Sequence, residues 1–334
     1  YRFRTYVLAR FQFGLRIPSW GDTYFFRNSQ NMRELAPIVL FVYNRPWHAR
    51  QTIEALQKNE LANKSELFIY SDAAKNHKDA SSVKEVRDYI HNVTGFKRIQ
   101  IIERDKNWGL ASSIIDGVTR IVNRYDSVIV LEDDLVTSPY FLDYMNESLD
   151  RHAKNDRVIS IHGYVYPIQQ ALPEAFFLKS ADCWGWATWK RGWSLFNSNG
   201  RELYRELKRR QIIKDFDFNG SYGFSAMLKE QVQGKNDSWA IRWYASAFLA
   251  DKLTLYPGKS LVHNIGNDNS GTHCASFEGY NVDLTRSRID LSNIAVEPSS
   301  VGFNAFVNYF TEHKRASSVK KIVNKAKSYW GYLQ

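Results

Sequence analysis

Short apolar runs alternate with helical patterns through the first half of the chain. The runs Ile38–Val42 and Val128–Leu131 have the continuous apolarity of strands buried on both faces. Residues 47–58 and 110–125 carry apolar side chains at helical spacing, and Pro46 stands at the start of the first helix. This alternation predicts βαβ units, and therefore an α/β fold with a mostly parallel sheet and flanking helices.

Composition narrows the class of protein. The 334 residues are 44% hydrophobic and 24% charged, which suits one large α/β unit or two domains and excludes collagen and coiled coils. Two cysteines are too few for a disulfide framework. No apolar run approaches the ~20 residues of a transmembrane helix, so the sequence favours a cytoplasmic protein.

The positive charge is concentrated near the C-terminus. The chain carries 45 basic and 35 acidic residues, a net charge of +10. Residues 314–327 contain six of the basic residues and no acid, while apolar residues between Val319 and Trp330 share one helical face. A basic amphipathic helix of this kind either packs on the protein core or lies on an anionic membrane surface. Because the surplus is local, nucleic acid is not an expected partner.

Polar residues follow the predicted strands. Asn44 and Arg45 follow the first strand, Asp72 follows the second, and three acids follow the fourth, at 132–134. Parallel strands end at one edge of the sheet, where ligands bind in open α/β folds, so we expect these residues to lie close together. No GxxxxGK[ST] or GxGxxG motif is present, which argues against P-loop and dinucleotide chemistry.

The acidic triplet Glu132, Asp133 and Asp134 is the most informative motif. Three adjacent carboxylates repel one another unless a cation shares them, and oxygen ligands suit Mg²⁺ or Mn²⁺. The alternative is an acidic loop that caps the helix predicted near Pro139. The position directly after an apolar strand favours the metal.

Five segments, taken in order, resemble the GT-A-fold glycosyltransferases, and in detail the Golgi N-acetylglucosaminyltransferase I family and its bacterial relatives. They span roughly residues 37–275: the strand ending in Asn44 and Arg45, the Ser71-Asp72 pair, the acidic triplet, the tryptophan and glycine segment from Trp184, and residues 236–239. The resemblance implies a Rossmann-like GT-A sheet and an inverting transfer of a sugar from a UDP-linked donor.

The resemblance also implies roles for individual residues. Nucleotide binding falls to Asn44, Arg45, Asp72, Glu132 and Asp133, and metal binding to Asp134 and a late histidine, His263 or His273. The catalytic base falls on Asp237, in the place of the family's aspartate pair, whose second acid is Ser238 here. Asp268 is the second candidate for the base, and a simple helix N-cap is the alternative role of Asp237.

Six of the ten tryptophans lie between residues 184 and 243. Indole faces stack well on sugar rings, but buried aromatic packing is an equally good explanation for many of them. We expect Trp186 and Trp239 to contribute to a pocket for the sugar or the acceptor.

These patterns predict four regions. They are an N-terminal appendage (1–36), a nucleotide-sugar-binding half (37–155), an acceptor-binding half (156–295) and the C-terminal basic amphipathic helix (296–334).

The sequence therefore predicts a metal-dependent glycosyltransferase, with Mn²⁺ or Mg²⁺ as its cofactor. It moves a sugar, with N-acetylhexosamine as first candidate, from a UDP-sugar to a glycan or lipid-linked glycan in polysaccharide biosynthesis. We expect it to be cytoplasmic or peripheral on the cytoplasmic membrane face. The alternatives are an inactive glycan- or nucleotide-binding module of the same fold and a nucleotidyltransferase.

Overall fold

A computed structural model describes residues 34–268 and 278–331 of the chain, with residue 278 and residues 316–331 described by their backbone alone. Most of the predicted N-terminal appendage, the histidine at 273 and the apolar stripe predicted for the C-terminal helix lie outside the described backbone or side chains.

Ten strands and ten helices make up the described part of the chain. The strands are β1 (Ile38–Val42), β2 (Glu66–Ser71), β3 (Arg98–Glu103), β4 (Ser127–Glu132), β5 (Leu135–Thr137), β6 (Val158–His162), β7 (Ala175–Leu178), β8 (Trp186–Trp189), β9 (Leu253–Pro257) and β10 (Val262–Asn264). The helices are α1 (Pro46–Gln57), α2 (Ala80–Ile90), α3 (Leu110–Tyr125), α4 (Phe141–Arg151), α5 (Lys190–Trp193), α6 (Gly200–Arg209), α7 (Ile213–Phe216), α8 (Phe224–Val232), α9 (Trp239–Leu249) and α10 (Ser300–Gly331).

Eight strands form one sheet in the order β3-β2-β1-β4-β8-β6-β9-β7. The first four strands of the chain are mutually parallel, as the βαβ pattern predicts. Beyond β4 the sheet is mixed, because β8 runs antiparallel to both of its neighbours and β7 runs antiparallel to β9. The predicted α/β class with a large central sheet and flanking helices is confirmed.

Two apolar layers cover the faces of the sheet. Residues of α1 and α4 pack with alternate strand residues such as Leu40 and Leu131 on one face. Residues of α3 and α9 pack with the intervening positions, including Val39 and Val130, on the other. Since both faces are buried, the strands are apolar throughout, which is why they appear in the sequence as continuous runs.

The carboxyl edge of the sheet carries a small second sheet. After β4 the chain turns at Asp133 and Asp134 and enters β5, which pairs antiparallel with β10. The amide of Ile265, just after β10, donates to the carbonyl of Asp134 (2.9 Å). This pairing brings the loop after β10 against the acidic turn, although more than 120 residues separate the two in the sequence.

The C-terminal helix α10 confirms the predicted helical segment at the end of the chain. Its first turns pack on the core through buried Phe306 and Phe310, which lie in one cluster with Tyr256 of β9. No helix in the described part of the chain combines the length and the apolarity that a bilayer-spanning helix requires.

His162, at the end of β6, is 1% exposed, and its ring packs against those of Tyr164 and Tyr256. Burial lowers the pKa of this imidazole to about 3. An unfolded histidine has a pKa of about 6.5, so below that pH the unfolded state binds a proton that the folded state does not. Stability therefore decreases as the pH falls below about 6.5.

We expect the free energy of unfolding of the wild type to decrease between pH 7 and pH 5. In the His162→Phe variant this decrease should be about 2 kcal/mol smaller. Urea unfolding of both proteins at the two pH values measures the difference. His77→Gln, a change at an exposed histidine, is the matched control and should behave like the wild type. Equal decreases in the free energy of unfolding of the two proteins would contradict the conclusion that burial lowers the pKa of His162.

Candidate active site

The carboxyl ends of β1 and β4 bring one arginine to three acids. β1 and β4 are hydrogen-bonded neighbours, with Phe41 opposite Glu132 in the register. Arg45, three residues after β1, donates through Nη2 to Asp133 Oδ1 and to Asp134 Oδ2, the latter at 2.7 Å. The strand topology thus brings together residues that are nearly 90 positions apart in the sequence, as predicted for this edge.

The acidic turn is held in place by hydrogen bonds from α1 and from the residue that follows β1. Thr52 of α1 donates its hydroxyl to the carbonyl oxygen of Asp133 (2.8 Å), and the amide of Tyr43 donates to Asp133 Oδ2 (3.4 Å). The side chains of Asp133 and Asp134 are 7% and 12% exposed, so the turn is buried but open to the edge of the sheet. The sequence patterns identify Tyr43 and Thr52 as parts of a strand and a helix and give no sign of this role.

Negative charge dominates the turn. Burial, together with the charges of Asp134 and Asp133, raises the pKa of Glu132 to about 8. Burial raises the pKa of Asp133 to about 6, although Arg45 opposes the shift. Burial also opposes the charge of Arg45, but the two aspartates outweigh it and raise the pKa of the guanidinium. One arginine faces three carboxylates, so the turn lacks compensating positive charge.

Gly266 lies directly against this group. A methyl group at its Cα would overlap the carboxylate of Asp134 and come within 3.0 Å of Arg45 Nη1. Its amide donates to Asn264 Oδ1 (2.8 Å), which holds the loop in place after β10. Only a residue without a side chain allows the loop to approach so closely. The sequence patterns give no sign that this loop contacts the acidic turn.

His263 lies on β10 opposite Val136, next to the acidic turn in the small sheet. Its Nδ1 lies 2.8 Å from the carbonyl oxygen of Val282. This contact orients the ring through Nδ1 and does not involve Nε2. Asp268, the second candidate for the base, pairs with Nε2 of His48 at the start of α1 (3.1 Å).

Asp72 follows β2 at the same edge and is 8% exposed. Its carboxylate accepts hydrogen bonds from the amides of Trp108 and Gly109 (2.9 Å each at the shorter contact) and of Ala73 (2.9 Å). These bonds hold the loop that precedes α3, so Asp72 organises this part of the edge.

Asn44 is turned towards a different partner from the acidic turn. Its amide donates to Asp79 Oδ1 (3.1 Å), and the hydroxyl of Tyr43 donates to Asp79 Oδ2 (3.0 Å). Asp79 precedes α2 and is absent from the sequence-based set of site residues. The network fixes the segment between β2 and α2 next to β1.

Asp237 precedes α9 and leaves 73% of its side chain exposed. Its Oδ1 accepts a hydrogen bond from Nη2 of buried Arg242 (2.9 Å). The N-cap of α9 is Ser238, whose hydroxyl accepts from the amide of Ile241 (3.2 Å). The N-cap role considered for Asp237 is therefore wrong, and Ser238, in the place of the missing second acid, performs it.

Trp186 and Trp239 are placed in the core. Trp186 is 0% and Trp239 is 3% exposed, and their rings stack with centroids 5.4 Å apart. Trp193 and Trp243 pack on the same ring of Trp186. This differs from the predicted position in a pocket wall, and the reason is that Trp186 shares its side of the sheet with Val130, under α3 and α9. The four indoles form a packed layer that supports α9.

Metal binding can be tested against the donor atoms present. The described residues contain no group of three His, Cys, Asp or Glu side chains arranged to hold a metal ion by themselves. Mg²⁺ and Mn²⁺ need only one or two protein carboxylates when a bound diphosphate supplies other ligands. The acidic turn brings three carboxyl groups to one arginine, a donor set that fits a divalent cation of this kind, and Asp134 is the more exposed of the two aspartates.

Comparison with known proteins gives one family. The sequence matches the model of the family described as "Glycosyl transferase family 2" over residues 38–226. The match covers more than half of the chain and includes β1 and the acidic turn. No curated protein matches the chain at a significant level.

Two solved structures are similar at low identity. S. aureus TarS is 13% identical with a TM-score of 0.36, and the match covers 68% of this chain but only 36% of TarS. The mannosyltransferase PcManGT from Pyrobaculum calidifontis, in complex with GDP-Man and Mn²⁺, is 11% identical with a TM-score of 0.33, over 65% of this chain and 77% of that one. At TM-scores below 0.5, neither similarity supports a substrate or a mechanism for this chain.

Proposed function

This chain belongs to glycosyl transferase family 2, and we propose that it transfers a sugar from a UDP-sugar to a glycan or lipid-linked glycan in polysaccharide biosynthesis. The observation that supports this proposal best is the acidic turn bound by Arg45 at the carboxyl edge of the sheet. In open α/β folds this edge is where nucleotides bind. The resemblance to the N-acetylglucosaminyltransferase I family extends the proposal to an N-acetylhexosamine donor and to inversion at the anomeric carbon.

The donor diphosphate is proposed to bind over the acidic turn. Arg45 has a bidentate fork that suits phosphate oxygens as well as carboxylates, so it can hold a diphosphate beside Asp133. Asp134 and His263 are the residues proposed to hold Mn²⁺ or Mg²⁺, which as a Lewis acid stabilises the negative charge of the departing diphosphate. Gly266 lets the loop after β10 lie against Asp134 and Arg45, because the side chain of any larger residue would overlap them.

The nucleoside is proposed to lie towards β2. Asp72 and Asn44 follow β2 and β1 on that side, while Glu132 ends β4 on the other side of β1. The family resemblance assigns the reading of uracil to Asp72. In the structure Asp72 fixes the loop before α3 through backbone amides. A change at Asp72 therefore affects both the loop and the nucleoside.

The base is proposed to be Asp237. An inverting transfer needs a carboxylate beside the acceptor hydroxyl, on the side of the sugar opposite the diphosphate. Arg242 holds one oxygen of Asp237 while most of the side chain stays exposed to solvent, so the group can be approached by an acceptor. The acceptor hydroxyl would give its proton to Asp237 as its oxygen attacks the anomeric carbon and the bond to the diphosphate breaks.

Calorimetric titration with UDP, CDP and GDP, each with and without Mn²⁺, tests this function. We expect UDP to bind more tightly than CDP or GDP, and more tightly with the metal than without it. Nucleotide binding that depends neither on the metal nor on the identity of the nucleobase would contradict the proposal. Tight glycan binding without any nucleotide would favour an inactive binding module. Pyrophosphate release from UTP would favour a nucleotidyltransferase.

The C-terminal segment is proposed to bring the enzyme to an anionic membrane at its cytoplasmic face. Six basic residues between positions 314 and 327 supply the charge, and each contributes about 1 kcal/mol near such a surface. The start of α10 packs on the core through Phe306 and Phe310, so a truncation that tests the segment must keep these residues.

We expect a chain that ends at residue 315 to partition less onto vesicles containing phosphatidylserine, and to keep its affinity for UDP. Sedimentation with vesicles at low and moderate salt measures the partition. Binding that is unchanged by the truncation would contradict the membrane role. Loss of the folded state would instead show that the segment packs on the protein.

A further inference from the structure

The second half of the chain contains a group of partly exposed aromatic side chains and a partly exposed carboxylate two residues before one of them. Tyr166, Trp184 and Tyr280 are each half-buried, and so is Asp182. We call these four residues the aromatic patch. They come from three separate segments: the chain after β6, the segment that leads to β8, and the segment before α10.

The patch lies beside the edge that carries the acidic turn. Trp186 at the start of β8 pairs with Val130 of β4 and with His162 at the end of β6. The residues just before Trp186 and just after His162 therefore emerge at the carboxyl ends of β4 and β6. Trp184 precedes β8 by two residues, and Tyr166 follows β6 by four, so both belong to this edge.

The rings of the patch hold one another in place. Trp184 meets Tyr280 edge to face with centroids 5.4 Å apart, and Tyr166 lies 6.0 Å from Tyr280. Tyr164 fixes the backbone of this group, because its hydroxyl donates to the carbonyl of Tyr280 (2.9 Å). Trp184 also packs against Tyr164, and Tyr166 against Tyr309, so the rings are fixed in place. The parts of these half-buried rings that stay accessible are of the kind that packs against the C–H groups of a sugar ring.

Asp182 is held in a fixed orientation. The hydroxyl of Tyr256 donates to Asp182 Oδ2 (3.1 Å) and lies 2.5 Å from Ser180 Oγ, which forms a chain of hydrogen bonds behind the carboxylate. Burial raises the pKa of Asp182 to about 6. Asp182 precedes Trp184 by two residues, so the carboxylate belongs to the same segment as that ring of the patch.

We propose that the aromatic patch binds a sugar ring of the acceptor, with Asp182 accepting hydrogen bonds from its hydroxyl groups. Aromatic faces beside a single oriented carboxylate are chemically suited to a ring with apolar faces and hydroxyl edges. The proposal rests on the proposed function, since the acceptor must reach the sugar of a donor bound at the neighbouring acidic turn. Asp182 is a binding residue in this proposal, while Asp237 remains the proposed base.

Binding of simple sugars tests the proposal. The probes are the methyl glycosides of glucose, galactose, mannose and N-acetylglucosamine, titrated calorimetrically into the full chain with UDP and Mn²⁺ present. We expect at least one of them to bind the wild type with a Kd of about 1 mM. The Asp182→Asn variant keeps the shape and an acceptor for Tyr256 but loses the charge, and should bind at least ~10-fold more weakly.

Two further variants sharpen the result. Trp184→Phe makes one aromatic ring smaller and should weaken the binding of the same glycoside. This variant is a second test of the patch if Asp182→Asn loses stability. Asp251→Asn makes the same chemical change beside β9 at the opposite edge of the sheet, where the carboxylate pairs with Lys179, and should leave the Kd unchanged.

The failure of this inference is distinct from failure of the proposed function. An unchanged glycoside Kd in Asp182→Asn and Trp184→Phe would overturn the inference, and so would the absence of glycoside binding in the wild type. In both cases UDP titration of the same samples shows separately whether the nucleotide site exists.

Discussion

In the Asp134→Ala variant, the affinity for UDP should be the same with and without Mn²⁺, while the wild type binds UDP more tightly when the metal is present. The carboxylate of Asp134 is the proposed acidic ligand of the metal, and without it only His263 is left to hold the cation beside the diphosphate. Calorimetric titration of UDP at saturating and zero Mn²⁺ measures the effect.

The fold should survive this change. Asp134 lies in a turn outside both apolar layers, and Arg45 keeps Asp133 as an ion-pair partner. Asp105→Ala, a change at an exposed acid that follows β3 at the same edge, is the matched control and should retain the metal dependence. A metal effect that persists in Asp134→Ala would remove the acidic turn from the metal site.

Turnover of the UDP-sugar should fall by at least ~100-fold in Asp237→Asn, with nearly unchanged affinity for UDP. Asparagine keeps the size of the side chain and an oxygen for Arg242, but it cannot accept the proton of the acceptor hydroxyl. Release of UDP under saturating donor, compared with the wild type, gives the ratio of rates.

Ser238 provides the control for this variant. It caps α9 immediately after Asp237, so Ser238→Ala should cost about 1 kcal/mol of stability and leave the rate close to that of the wild type. If Asp237→Asn turned over donor at a normal rate, the base would lie elsewhere, and Asp268 beside His48 would be the next candidate.

Periodicity explains how much of the fold was predictable. Strands buried on both faces must be apolar at every position, and so β1, β2 and β4 stand out in the sequence. Their parallel order then determines which residues meet at the carboxyl edge. For that reason the meeting of Arg45 with Asp133 and Asp134 followed from topology alone.

Short strands were not predictable in the same way. β5 and β10 have three residues each, too few for any periodic pattern, and each is stabilised by a partner far away in the sequence. β9 and β10 are neighbours in the sequence but do not pair with each other: β9 pairs with β6 and β7, and β10 pairs with β5.

Side-chain partners outside the sheet were the least predictable feature. A tryptophan-rich segment fits both a sugar pocket and a core, and only the strand register shows that Trp186 faces the layer under α9. Asn44 was selected because it follows the first strand, yet its partner Asp79 lies 35 residues away, before α2. Such contacts depend on how loops pack, and loops carry no repeating pattern.

Hydrolysis of nucleotide sugars is the most direct test of the central claim, which is metal-dependent sugar transfer at the acidic turn. The purified chain is incubated with UDP-, GDP-, CDP- and TDP-sugars, with Mn²⁺ or with EDTA, and the released nucleotide is quantified. We expect slow release of UDP from a UDP-N-acetylhexosamine with Mn²⁺ only, and none from the Asp134→Ala variant. Release of nucleotide that is equal in EDTA, or equal in Asp134→Ala, would contradict the account.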